Sequence, residues 1–261
     1  MQIIRVRLIN SMGITKGCEK APVEIINELK EIEINESGRS IDFSSLNLEE
    51  IHVDLKNVEE ANHLIYENSK EVFEKNDKVF FIGGDHSISY SITRAFMKIE
   101  KNPLLVVFDA HADCMKPGKE PTHEEWLRAV IEEGFVNVIL ISTRKIWEEE
   151  MRFLKNRDIT MIKMDVLQED VGEVCDVVME QARKSGGFYV SIDIDSLDPG
   201  FAPGTGYPEP GGLSSRDLIY MARRLSMLEN FRGADIVEIN PDKDVNKITV
   251  KLGAKLLSEM I

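Results

Sequence analysis

Residues 104–113, LLVVFDAHAD, run an apolar stretch straight into Asp109, His111 and Asp113. If the chain stays extended there, this alternating spacing puts all three side chains on one side. Ionisable groups directly after a buried strand are costly unless something compensates them, and a metal ion does so most simply. Residues 188–199, FYVSIDIDSLDP, carry Asp193 and Asp195 two positions apart at the end of another apolar stretch. Two carboxylates on one face repel, so one takes a raised pKa unless a cation lies between them. Asp198, followed by Pro199, suits a turn instead. In FFIGGDHS, residues 80–87, two glycines let the chain turn tightly and set His86 at the end of a strand. Taken alone, a histidine there is more often structural than functional. In ADIVEINP, residues 234–241, Glu238 lies near the end of a strand that reads as buried. Such a carboxylate needs a partner, either a cationic ligand or an arginine.

His86, Asp109, His111, Asp113, Asp193 and Asp195 supply two imidazoles, four carboxylates and no thiolate. This oxygen-rich set suits Mn²⁺ better than structural zinc. Six ligands are too many for one ion with an open position. They suit two ions sharing carboxylates, ~3.5–4 Å apart as in two-metal hydrolytic sites. The four aspartates also match the four positive charges of two divalent ions. The chemistry expected of such a centre is activation of water.

Strands must present these groups. Candidates are residues 3–8, 79–82, 104–108, 136–141, 160–164, 188–192 and 234–239, several of them nearly continuous apolar runs. Such runs are expected where helices cover both faces of a parallel sheet. Helical patterns fall between them at 55–74, 88–99, 124–133, 173–184, 215–229 and 245–259. The alternation predicts an α/β fold with a mostly parallel sheet, organised as one domain over 1–261. All four motifs then sit at carboxyl ends of strands, where open α/β sheets bind ligands. Pro22 suits a first helical turn, Ser214 or Ser215 an N-cap, and Gly134 a C-cap. Residues 198–213, DPGFAPGTGYPEPGGL, form a long loop of the kind that is usually functional or disordered.

Composition excludes several roles. The formal net charge is −14 with no basic cluster, which argues against nucleic acid and anionic membranes as partners. The acidic balance is compatible with a cationic substrate or bound metal, although most of it reads as a solvated Glu-rich surface. No apolar run approaches the ~18 residues of a membrane span. The N-terminus, MQIIRVRLIN, reads as a first strand rather than a signal peptide, so a cytoplasmic location is expected. Cys18, Cys114 and Cys175 are far apart and read as free thiols.

GGDHS, DAHAD and SIDIDSLDP, in this order, resemble the three metal-binding motifs of the ureohydrolase family, which includes arginases, agmatinases and related guanidino- and formimino-hydrolases. The resemblance covers nearly the whole chain. It implies a three-layer α/β/α sandwich around a mostly parallel sheet of about eight strands. It implies two Mn²⁺ ions bridged by Asp109 and Asp193, one completed by His86 and Asp113, the other by His111 and Asp195. The solvent between the ions would be the nucleophile on a guanidinium carbon, and urea and an amine would leave. Glu238 would pair with the substrate guanidinium, and His123 would shuttle protons or position the substrate. Family members are commonly trimers or hexamers, which implies a homo-oligomer.

The sequence also departs from the family. His123 is followed by Glu124, where the family usually has glycine, and the segment 114–122 looks shorter than in arginases. Where arginases bind the substrate's amino-acid head group, this chain has KIWEEE with Trp147. Tyr207 in the 198–213 loop is bulkier than the agmatinase residue and would shorten the pocket. These features disfavour arginase and lean towards hydrolysis of agmatine to putrescine. Glu148, Glu149 and Glu150 could attract the distal amine of agmatine, but read better as an exposed helix start. Other guanidino or formimino substrates are alternatives, namely arginine, guanidinobutyrate and formiminoglutamate. So are a one-zinc deacetylase-like hydrolase and, in a different class, a non-enzymatic metal-binding homologue.

Overall fold

A computed structural model describes residues 1–11, 13–157 and 159–261. Eight strands form a single sheet with every pairing parallel: β1 (Gln2–Val6), β2 (Asn47–Ile51), β3 (Val79–Ile82), β4 (Pro103–Phe108), β5 (Val138–Thr143), β6 (Thr160–Lys163), β7 (Gly187–Asp193) and β8 (Phe231–Val237). Their order across the sheet is β2-β1-β3-β8-β7-β4-β5-β6. The helices are α1 (Ala21–Leu29), α2 (Val58–Lys75), α3 (Ile88–Ile99), α4 (Trp126–Glu132), α5 (Glu148–Leu154), α6 (Met164–Leu167), α7 (Val171–Lys184), α8 (Ser215–Ser226) and α9 (Ile248–Met260).

Strand alternation sorts the apolar residues into two cores. Leu104, Val106 and Phe108 of β4, with Phe188, Val190 and Ile192 of β7, face α1, α7, α8 and α9. Leu105, Val107 and Tyr189 face α2, α3, α4 and α5. Both faces of the central strands are therefore dry, which explains their unbroken apolar sequences. The outcome is the three-layer α/β/α sandwich.

Several local expectations hold. Pro22 lies in the first turn of α1, Ser214 caps α8 with Asp217 completing the capping box, and Gly134 follows α4 with φ 108°. Other boundaries move. The strand expected at 136–141 runs Val138–Thr143, and Val136 is exposed. The strand expected at 234–239 runs Phe231–Val237 and stops before Glu238. Helices expected to start at 55, 124 and 245 begin at Val58, Trp126 and Ile248. Strand β2, NLEEI, was not among the candidates, because an edge strand half open to water carries no apolar run. Helix α5 was anticipated only as a helix start at Glu148, Glu149 and Glu150, and its course to Leu154 was not among the helical stretches.

Candidate metal centre

The four central strands β3, β8, β7 and β4 deliver the chemistry at their carboxyl ends. After β3, Gly83 and Gly84 turn the chain so closely onto β1 that a side chain at Gly84 would collide with the Leu8 carbonyl. Asp85 is fully buried and holds this turn: its carboxylate accepts from Asn10 N (2.6 Å), Thr15 Oγ1 (2.8 Å) and Ser87 N (3.2 Å). His86 follows. Its Nε2 lies 2.9 Å from Ser191 Oγ, which donates to Asp235 Oδ1 at 2.6 Å. That chain fixes the ring and points Nδ1 at three carboxylates. Asp109 Oδ2 is 3.1 Å away, Asp113 Oδ2 3.1 Å and Asp193 Oδ2 3.2 Å.

A second group adjoins the first. His111 Nδ1 is 2.9 Å from Asp195 Oδ2 and 3.5 Å from Asp109 Oδ1. Asp109 thus offers one oxygen to each group, which is the geometry of a bridging carboxylate. Asp193 offers Oδ2 to the His86 group, while its Oδ1 accepts from Asp195 N at 2.8 Å. The six sequence candidates therefore converge, with Asp109 more evidently shared than Asp193.

Backbone strain concentrates here. Asp113 has φ 49°, Ser142 φ 70° and Glu238 φ 64°, the left-handed region that side chains disfavour. Each such residue costs on the order of 1–3 kcal/mol and persists only where its surroundings over-determine it. Arg128 N donates to the Asp113 carbonyl, Glu238 N to the Gly84 carbonyl, and Ser142 Oγ to the Asp109 carbonyl. The strain turns two carboxylates back over the strand ends.

The electrostatics call for a cation. Burial, then the neighbouring charge of Asp109, pushes the Asp113 carboxyl up. Burial, then Asp195 and Asp109, pushes Asp193 well up. Burial also works against ionised Asp195, but the bonds from His111 and Ala110 N outweigh it and hold this carboxyl below its usual value. Burial would discharge His86, yet Asp109, Asp113 and Asp193 hold its pKa well above the ordinary value. His86 Nδ1 and Asp109 Oδ2 are buried with no hydrogen-bond partner among the described residues. A donor set of two imidazoles and four crowded carboxylates, with orphaned atoms facing one another, fits metal ions well. Two groups could each hold one: His86, Asp109 and Asp113, and Asp109, His111 and Asp195.

An adjoining pocket is lined by Met115, His123, Glu124, Lys145, Trp147, Glu150, Tyr207 and Glu238 as well as by residues of the two groups. Glu238 was expected to face a cationic ligand or an arginine. Its partners are instead the backbone N of His86 (2.9 Å) and the His123 imidazole (3.3 Å). Burial works against a charged His123, but Glu238 holds its pKa up at about 9. The Tyr207 ring stands 5.8 Å from His111 and 6.0 Å from His123, walling the pocket above both. Trp147 lines the mouth but is 57% exposed.

Glu148 and Glu149 do begin an exposed helix, where they pair with Arg152 and Arg128. Glu150 corrects the reading of that run as wholly exposed. It is buried, accepts from Cys114 N and Trp147 N at 2.8 Å each, and burial lifts its pKa to about 7. Asp198 makes the expected turn, accepting from Gly200 N and Gly211 N. All three cysteines are free and buried, and Cys18 Sγ lies 4.0 Å from Glu238 Oε2, which its sequence position gave no reason to expect. Sequence reasoning also missed Ser191, Asp235, Trp126 and Arg144, whose partners are remote in the chain. The Arg144 guanidinium donates to the carbonyls of Ser142, Asp195, Ser196, Leu197, Glu209 and Pro210. It pins the 198–213 loop beside the site.

The family model described as Arginase family matches residues 3–261. The chain belongs to the arginase family. Among arginase-family proteins it is 34% identical over 205 residues to "Arginase 1, mitochondrial" of Arabidopsis thaliana, covering 76% of this chain and 58% of that protein. It is 32% identical over 245 residues to "Agmatinase, mitochondrial" of Gallus gallus, covering 87% of this chain and 69% of that one. The chain thus spans under three fifths of the length of the plant arginase. The crystal structure of formimidoylglutamase from Bacillus subtilis superposes with a TM-score of 0.92 at 23% identity, covering 99% of this chain and 85% of that one. At that identity the likeness speaks for the fold.

Proposed function

We propose that this chain is a binuclear-manganese hydrolase that cleaves a guanidino group to urea and an amine. The observation that carries the reading is the convergence of His86, Asp109, Asp113 and Asp193 with His111 and Asp195, beside a pocket that ends on Glu238. Two Mn²⁺ ions are the expected cofactor, with Asp109 and Asp193 shared between them. When bound, such ions lower the pKa of coordinated water and stabilise developing charge.

The chain's own residues supply the rest. Glu238 accepts the planar guanidinium cation, displacing the His123 imidazole that otherwise pairs with it. His123 is then placed at the pocket wall to hand a proton to the departing amine. Tyr207 closes the pocket over His111 and His123, keeping bulk water away from the cleavable bond.

Agmatine is the favoured substrate, with putrescine the amine product. Glu124 and Glu150 line the outer pocket, and its one lysine, Lys145, is paired with Glu209 at 3.1 Å. This balance suits a cationic tail better than an α-carboxylate. The second reading is a substrate with a carboxylate tail, such as guanidinobutyrate or formiminoglutamate, and rests on Lys145 facing the same pocket. The reading further includes one catalytic domain over 1–261, a homo-oligomeric assembly (a trimer or hexamer) and a cytoplasmic location. Among the described residues no helix is long and apolar enough to cross a membrane.

A screen with the Mn²⁺-loaded protein tests the proposal. The panel is agmatine, arginine, guanidinobutyrate, guanidinopropionate and formiminoglutamate, read out as urea or formamide. Urea from agmatine at the highest kcat/KM supports the full reading. Release only from carboxylate-tailed compounds moves it to the second reading, and no release from any compound overturns it.

A further inference from the structure

Trp126 is the first residue of α4 and is fully buried against the centre, three positions after His123. Its indole Nε1 donates to Asp113 Oδ2 at 2.8 Å, the same oxygen that faces His86 Nδ1. Its ring lies 4.5 Å from the His86 ring, tilted by 37°. One rigid side chain therefore touches two of the three groups that could hold the first ion.

The contact answers a specific need. Asp113 sits at φ 49°, so its backbone alone does not favour the position it occupies. Its backbone is tied by Arg128 N, two residues beyond Trp126, and its carboxylate by the indole. The indole is a donor only, so it can meet a carboxylate but can neither ligate a metal nor bring charge. Backing the His86 ring on one face, it leaves that imidazole little rotational freedom. His86 is then held on both sides, by Trp126 at its face and by Ser191 at Nε2.

We infer that Trp126 is a positioning residue for the metal position formed by His86, Asp109 and Asp113, fixing the Asp113 carboxylate and the His86 ring before the ion arrives. This rests on the two-metal reading above. Outer partners of metal ligands carry about 10–100-fold in affinity. Trp126→Phe keeps most of the packing and removes the N–H. It should weaken Mn²⁺ at this position at least about tenfold, while the position of His111 and Asp195 keeps its affinity.

The test is Mn²⁺ stoichiometry and affinity by calorimetry and electron paramagnetic resonance on the wild-type chain and on Trp126→Phe. Loss of affinity at one of two sites supports the assignment. Two unchanged sites overturn it while leaving the two-metal reading intact. Failure of the wild-type chain to bind Mn²⁺ overturns both. Should Trp126→Phe not fold, Trp147→Phe leaves Trp126 as the sole indole in the chain. Its emission should then change with the first equivalent of Mn²⁺, and an emission indifferent to Mn²⁺ would sink the inference.

Discussion

His123 Nδ1 lies 3.3 Å from Glu238 Oε1, so the carboxylate proposed for the substrate is held by an imidazole when no substrate is bound. The two residues stand 115 positions apart, and both are buried. The pair has a titration signature. The folded pKa of His123, about 9, lies above the ordinary value of about 6.5. A raised pKa means that protonated His123 stabilises the fold. That contribution is complete below about pH 6.5 and is lost as pH rises through about 9. The stability difference between wild type and His123→Gln, measured by urea unfolding of the metal-free protein, should therefore shrink between pH 6.5 and 10. Glu238→Gln should bring the His123 titration, followed by NMR, back towards its ordinary range. An unchanged titration would separate the two residues.

Asp109 contributes to both candidate groups and Asp195 to only one. Asp109→Asn should abolish binding of both ions and reduce turnover to background. Asp195→Asn should keep the ion at His86 and lose the other. Metal analysis after gel filtration distinguishes the two, and equal losses in both variants would argue against Asp109 as the shared carboxylate.

Metal should stabilise the fold, because the carboxylates it neutralises are crowded and buried. Each site should add about 2.7 kcal/mol when free Mn²⁺ is about a hundred times its Kd. Thermal unfolding with Mn²⁺ and then with excess chelator should show a rise in Tm that the chelator reverses. A Tm that ignores Mn²⁺ would contradict the proposed centre.

Arg144 ties the 198–213 loop through carbonyls and, among the described residues, pairs with no carboxylate. Arg144→Lys loses the planar fork that reaches them. Hydrogen bonds to a charged group contribute about 1.5–3 kcal/mol, so the variant should lose stability of that order. Tyr207 lies on the same loop, so KM should rise as well. Limited proteolysis should cut the variant within 198–213 faster than the wild type.

Glu124 occupies the outer pocket beside His123, where the resemblance leads one to expect glycine. It is exposed, so its attraction for a cationic tail is of the size of a surface ion pair, about 0.2–1 kcal/mol. Glu124→Gln should then raise KM for agmatine by up to about fivefold with kcat nearly unchanged. Lys145→Met should lower KM for agmatine slightly and raise it for a carboxylate-tailed substrate. Opposite outcomes for the two variants would exchange the two readings of the substrate.

The fold and the reacting groups were legible for one reason. A strand buried on both faces must be apolar along its length, so β4 and β7 stand out, and charges directly after such runs announce a compensating ion. Local spacing carried Asp109, His111 and Asp113 in one motif and Asp193 and Asp195 in another. Strand β2 escaped because an edge strand with one wet face, NLEEI, has no such run. Glu150 escaped because burial depends on what α5 packs against, not on its acidic neighbours.

The amino-acid sequence by itself determined the alternating layers, the four strand ends that carry chemistry and the six candidate ligands. Only the tertiary structure decided how those ligands are held. Trp126 reaches Asp113, Ser191 reaches His86, Asp85 gathers Asn10 and Thr15, and His123 meets Glu238. Metal ligands announce themselves locally because their charge is anomalous beside an apolar strand. Their supports are ordinary residues, and they acquire meaning only when folding brings distant segments to within a hydrogen bond.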